Sequence, residues 1–292
     1  MNKLFFLHTH FIPHTILSEC KIEGAVLVPE INPKLIPVYY GENKIFNSLE
    51  ETFEYINTHY NDIKLFFTLE NLNILSDSKQ IEEYKKYGLI MIQLYHNNDN
   101  KYFCYKAGLT DDGHKLLKVM EKHNIILDLS HLDDFWAEKI ASNFHGKIVV
   151  SHCACKDAYT NRENRSNSLS AKIIEMLGKR NTLFGIPFVN DIISAQSYEP
   201  QVDDSTLMND LVSQIKIFIE TAGVASVALG PDFFDLDYFS RIFHVTLHIP
   251  DNLFHDTGYT LIRSRLSNDG FCKNEIEAMF YKNALNFLKA EA

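Results

Sequence analysis

Eight short apolar runs, separated by segments with helical periodicity, constrain this chain more than any other feature. They are LFFLH (4–8), GAVLVP (24–29), IKLFFTLE (63–70), LIMIQLYH (89–96), NIILDLSH (124–131), KIVVSH (147–152), TLFGIPF (182–188) and SVALGPD (226–232). Near-continuous apolar runs of this length are the mark of strands buried on both faces, which occur in parallel sheets covered by helices. The intervening segments supply such helices: NSLEETFEYINTHY (47–60), SKQIEEYKKYG (78–88), DDGHKLLKVMEKH (111–123), DDFWAEKIASNFHG (133–146), SLSAKIIEMLGK (168–179) and STLMNDLVSQIKIFIETAG (205–223). Asp133 stands where a helix opens, and Gly88, Gly146 and Gly223 stand past the ends of others. Strands alternating with helices predict an α/β protein, and eight such units predict a closed (β/α)8 TIM-like barrel. A barrel needs roughly 250 residues; the chain has 292, of which 46% are hydrophobic. No repeat or linker interrupts it, so residues 1–292 are expected to form one domain, ending in an amphipathic helix over 272–290. Two stretches read as irregular: PEINPKLIPVYYGENK (29–44), and the aromatic segment 233–270, which is expected to cover the active face.

The formal net charge of −10, with no block rich in Lys and Arg, excludes the basic face that nucleic-acid binding needs. Five scattered cysteines, an odd number, are not a disulfide framework and point to a reducing, cytoplasmic setting. The opening MNKLFFLHTHFIP lacks the long apolar core of a signal peptide. No run approaches the roughly 18 apolar residues of a membrane helix, so no membrane partner is expected. A homodimer is left open.

The chemistry concentrates at the ends of the runs. The first ends in His8 and His10, the third in Glu70, the fourth in His96, the fifth in His131 and the sixth in His152. The carboxyl ends of barrel strands share one rim, where active sites of such folds are built. Residues 8 and 10 fall on one face of a strand, so both rings can reach one metal. Neutral imidazoles with a carboxylate are a donor set for zinc and similar cations. Glu70 follows FFTL, where a charge is costly unless paired or bound to metal. Asp232 ends the last run and so lies beside the first strand of a closed barrel; a turn or capping role is its plainer reading. His59, His114, His123 and His145 fall in or beside helices and read as surface residues. Cys153 and Cys155, flanking Ala154 after His152, read as small core residues.

The stretches GLTDDGHKLLKVMEKHNIILDLSH (108–131), VVSH (149–152) and ALGPDFF (228–234), in that order, resemble the renal or membrane dipeptidase family of the amidohydrolase superfamily. The terminal FYKNALNFLK (280–289) is similar to that family's ending, with Asn283 kept and Asn286 in place of an arginine. The likeness runs from residue 8 to the carboxyl end. It implies a (β/α)8 barrel with two divalent metal ions per chain, zinc the expected ion. Glu70 would bridge them, His131 and His152 would ligate one, and His8 the other. His96 would meet the substrate carbonyl and the tetrahedral intermediate. Asp232 would lie near the substrate amine and the attacking water. Arg162 or Arg165, in NRENRSN, would bind the substrate carboxylate. The family has HxD on its first strand where this chain has HTH, so His10 is expected to take the place of that carboxylate as a ligand. The family's DFDG reads DFFD here. These departures touch substrate loops before they touch the fold.

The implied activity is hydrolysis of the amide bond of a dipeptide or similar small amino-acid conjugate by a hydroxide shared between the metals. Asp232 would carry the proton and His96 would stabilise the oxyanion. Two alternatives stand beside it. A metal-dependent phosphoesterase of the polymerase-and-histidinol-phosphatase type explains LHTH but not the paired DLSH and VVSH. A catalytically degenerate member that only binds a ligand is suggested by the HTH pair and the DFFD loop.

Overall fold

The computed structural model describes residues 2–29, 48–60, 62–158, 167–194 and 203–289. Each of the eight apolar runs contains one strand: β1 (Lys3–Thr9), β2 (Lys21–Leu27), β3 (Leu65–Leu69), β4 (Leu89–Gln93), β5 (Ile126–Asp128), β6 (Ile148–Val150), β7 (Leu183–Ile186) and β8 (Val227–Leu229). All neighbours pair parallel in chain order, and β8 returns to β1 through Leu229 and Phe6, closing the barrel that the runs predict.

Alternation along the strands sorts the core into two layers. Phe5, Leu7, Val26, Phe66, Met91, Ile126, Val149, Leu183 and Ala228 form one cluster inside the barrel. Ala284 and Leu288 of the terminal helix belong to the same cluster, so that helix seals the amino-terminal end. The other strand faces meet the outer helices in the larger cluster. These helices follow from spacing and caps. In Asp111–Lys122, Gly113, Leu116, Leu117 and Met120 are buried, and Thr110 accepts from the Gly113 amide. Asp133 caps Asp134–Ala141 by accepting from the Trp136 amide.

The structure corrects four local expectations. The helix predicted over 168–179 begins only at Ala171, because Ser168 and Leu169 pair with Ala154 and Cys155 in a two-stranded parallel sheet and Ser170 is the cap. Gly146 ends no helix, since Asp134–Ala141 stops earlier. The aromatic segment 233–270 is not irregular throughout: it holds helices Leu236–Phe243 and Asp256–Asn268. Asp235 caps the first, and Tyr259, Ile262 and Leu266 give the second a buried stripe with helical spacing. All strands but β1 also stop short of the ends of their apolar runs. His131, Asp232 and Asn97 have φ of 66, 56 and 57°, and these left-handed residues turn the chain out of the sheet. Most of the expected stretch 29–44 lies outside the described residues.

Candidate metal centre

The carboxyl-terminal mouth of the barrel gathers His8, His10, Glu70, His96, His131, His152 and Asp232. Arg162 and Arg165 lie outside the described residues.

Phe5 and Leu7 point into the barrel, so unbroken alternation would turn His8 outward. Between β1 and β2 the register shifts: Phe6 pairs with Ala25, but Thr9 pairs with Leu27, giving β1 one extra residue. That bulge re-aims the end of β1 toward the mouth, as bulges beside sites do. The His8 and His10 Nε2 atoms each lie 3.6 Å from the same Asp232 oxygen. Glu70 follows β3 directly and offers one oxygen to each side: Oε1 is 3.7 Å from His8 Nε2 and 3.8 Å from His96 Nε2, and Oε2 is 3.6 Å from His10 Nε2. Across the mouth, His131 Nε2 and His152 Nε2 are 3.1 Å apart. The His8 and His152 rings lie 4.0 Å apart between centroids, joining the two halves.

Burial sets the charges. It pulls His8 down to about 3 against the opposing pull of Glu70, and holds His131 and His152 well below the ordinary histidine range. These imidazoles are therefore neutral. Burial also pushes the Glu70 carboxyl up, but attraction to the surrounding imidazoles, His96 and His10 foremost, outweighs it and holds the group at about 2. Asp232 is pushed up to about 7 by burial, with Glu70 adding to the rise and His10 opposing it.

Neutral nitrogens around one ionised carboxylate suit a divalent cation. The His8 Nε2 atom is fully buried without a hydrogen-bond partner, an arrangement that a bound ion would satisfy. Among the described residues, His8, His10 and Glu70 form one group with ligand atoms within 4.8 Å of one another, and Glu70, His131 and His152 form a second. The groups share Glu70. Cys153 and Cys155 are buried free thiols in neither group.

The sequence reading missed the residues beneath and beside this cluster. Asp128 and Ser151 are fully buried below His8 and His152. Asn97 Oδ1 accepts from His131 Nδ1 at 3.1 Å, and Asn167 Nδ2 lies 2.9 Å from His131 Nε2. A signal existed for the first two: Asp128 and Ser151 continue the inward face of Ile126 and Val149, so both are polar residues at interior positions. Above the cluster opens a cavity of about 630 Å³. Its walls include Ile74, Ile192, Phe234, Tyr238, Phe239 and Leu247, and no Lys or Arg lines it among the described residues. The segment after β8 thus covers this face, as its aromatic content predicts.

A family model described as membrane dipeptidase, peptidase family M19, matches residues 40–292. Solved structures share the fold at low identity. An amidohydrolase from Pseudomonas aeruginosa is 13% identical with a TM-score of 0.77, over 99% of this chain and 96% of that one. A metallo peptidase from Rhodobacter sphaeroides, liganded with a phosphinate mimic of the dipeptide L-Ala-D-Ala, is 13% identical with a TM-score of 0.68, over 100% and 99%. A probable dipeptidase from Pseudomonas aeruginosa is 15% identical with a TM-score of 0.67, over 92% and 85%.

Proposed function

The chain belongs to the membrane dipeptidase family, peptidase family M19, and from that premise we propose that it hydrolyses the amide bond of a dipeptide or similar small amino-acid conjugate, using two divalent cations, zinc foremost. The observation that carries this reading is the pair of donor groups that share Glu70. Glu70 would hold both ions, His8 and His10 one, and His131 and His152 the other. When bound, the ions would acidify a water near neutrality and polarise the scissile carbonyl.

The protein's own groups do the rest. His96, whose side chain is 38% exposed, reaches from the cavity wall and donates to the carbonyl oxygen as charge develops there. One such donor is typically worth about 3–4 kcal/mol in kcat. Asp232 accepts the proton of the attacking water at its carboxylate and delivers it to the leaving amine. The apolar cavity walls exclude water from the side chains of the substrate. The substrate carboxylate falls to Arg162 or Arg165. The dipeptide mimic bound by the Rhodobacter sphaeroides metallo peptidase supports this substrate class. Among the described residues no helix is long and apolar enough to cross a membrane. The five free cysteines support a reducing, cytoplasmic setting.

Elemental analysis and hydrolysis assays on one preparation, purified without chelator, test the proposal. The expected outcome is close to two ions per chain, with dipeptide turnover that a chelator abolishes and zinc restores. A metal content near zero after zinc reconstitution overturns it. Phosphoester turnover without dipeptide turnover would instead favour the phosphoesterase reading that His10 suggests. Two bound ions with neither activity would favour a degenerate binder.

A further inference from the structure

Ser151 directly follows β6 and continues the inward face of Val149; it is fully buried, and its hydroxyl touches four groups. It bonds to Asp128 Oδ2. It lies 3.1 Å from His8 Nδ1, 2.9 Å from His152 Nδ1 and 3.2 Å from Ser130 Oγ. We propose that Ser151, anchored by Asp128, is a positioning residue that sets the tautomer of both His8 and His152. One buried hydroxyl thereby prepares a ligand for each of the two cations. The inference rests on the metal-dependent reading above and adds a dependence between the two ion sites.

The argument is a count of protons. A hydroxyl carries one proton to donate and two lone pairs to accept with. Asp128 Oδ1 receives the Ser130 amide at 3.0 Å, the Ser151 amide at 3.0 Å and the Ser130 hydroxyl at 2.8 Å. Burial raises the Asp128 carboxyl above its ordinary range, and the hydrogen bonds from Ser151 and Ser130 oppose that rise and favour the ionised form. Its Oδ2 therefore accepts, and the Ser151 proton is committed to it. The Ser130 proton is committed to Oδ1, while the Ser130 oxygen receives the His152 amide at 3.3 Å. Ser151 is left with two lone pairs and two imidazole nitrogens facing it. Both imidazoles must donate, so both carry their proton on Nδ1.

A neutral imidazole protonated on Nδ1 presents its lone pair at Nε2. The His8 and His152 Nε2 atoms are the ones that enter the two donor groups, His8 beside Glu70 and Asp232, and His152 beside His131. His131 receives the same orientation independently, from Asn97. His8, Asp128 and His152 are themselves close enough to form a third ligand group. The Ser151 hydroxyl already bonds to all three of its members, so that group reads as support for the ligands. Outer partners of this kind typically account for about 10–100-fold in metal affinity.

Zinc titration of the full-length chain tests the proposal with two variants. Ser151→Ala removes the shared acceptor, and both ions should bind about 10–100-fold more weakly. Asp128→Asn presents an amide N–H to the Ser151 oxygen. The hydroxyl proton must then turn to one imidazole, forcing that ring to carry its own proton on Nε2. One ion should weaken selectively while the other is retained. Circular dichroism confirms that each variant is folded. Two folded variants that bind both ions with wild-type affinity overturn the proposal. If a variant does not fold, nitrogen NMR of the wild-type imidazoles after metal removal decides: His8 and His152 should both carry Nδ1–H, and an Nε2–H on either ring refutes it. Wild-type protein that takes up no zinc refutes the parent reading of function, and the two tautomers still decide this one.

Discussion

At Glu70 a carboxylate only 7% exposed is surrounded by the imidazoles of His8, His10 and His96, each contributing an Nε2 within 4 Å. His96 and Asp232 line the cavity together with His10, Glu70 and His131, and the proposed roles divide them, the first two acting on substrate and the others holding metal. Glu70→Gln should lose metal and activity together while the fold persists. Asp232→Asn and His96→Ala should keep most bound metal and lose kcat by roughly 10²-fold or more. Full metal occupancy in Glu70→Gln, or unchanged turnover in either of the others, would remove that residue from its role. The buried imidazoles also set an acid limit on the metal-free protein. His8, His131 and His152 have folded pKa values depressed below the ordinary 6.5, His8 to about 3. Below pH 6.5 the unfolded chain takes up protons that the folded chain refuses, so folding stability falls as pH falls. Each such imidazole contributes up to about 1.4 kcal/mol per pH unit, and for His8 the loss continues to about pH 3. Urea titrations of metal-free protein between pH 7 and 4 should show this slope, and a flat profile would show that these rings titrate normally.

At the scale of elements, three strand ends converge where Ser151 sits. A Cβ on Gly185 of β7 would lie 1.8 Å from the Ser151 carbonyl oxygen, and one on Gly230, just past β8, would lie 2.0 Å from it. Both contacts are to backbone, which cannot swing aside. Gly185→Ala should therefore cost about 1–3 kcal/mol or more by overpacking, and weaken zinc binding by displacing His152. Thermal melting with zinc titration checks it, and unchanged values in both would show that the strands can separate at no cost. The bulge in β1 acts at the same scale. It alters no ligand's identity, yet without it the first strand would present His8 to the outer helices. The helix Leu236–Phe243 sets the cavity wall, because Tyr238, Phe239 and Ile242 line it while Asp235 caps its start.

The whole molecule divides its labour between the two ends of the barrel. The amino-terminal end is sealed by Ala284 and Leu288 against Phe5, Val149 and Ala228, and supplies stability. The other end holds buried polar groups that oppose folding unless their partners are present. Bound ions should then stabilise the whole fold, because they bind the folded state and not the dispersed ligands of the unfolded chain. Zinc at 100 times its dissociation constant should add about 2.7 kcal/mol per site. Thermal melting with zinc and with chelator measures it, and equal midpoints would show that the cluster holds no ion.

The linear order of residues determined the class of fold and which candidate residues gather at one mouth of the barrel. Eight apolar runs suffice for eight buried strands, because a strand inside a helix-covered barrel is apolar on both faces. A histidine or carboxylate closing such a run has nowhere to go but the rim, so His8, His10, Glu70, His96, His131, His152 and Asp232 were legible. Aim and support were not. The bulge that turns His8 inward depends on how β1 pairs with β2, and the left-handed turns at His131 and Asp232 depend on where each ladder ends. The bond from Asp128 to Ser151 and on to His8 joins positions more than a hundred residues apart. Pairing, register and proton placement are properties of neighbours in space, and only the closed barrel decides which residues those are.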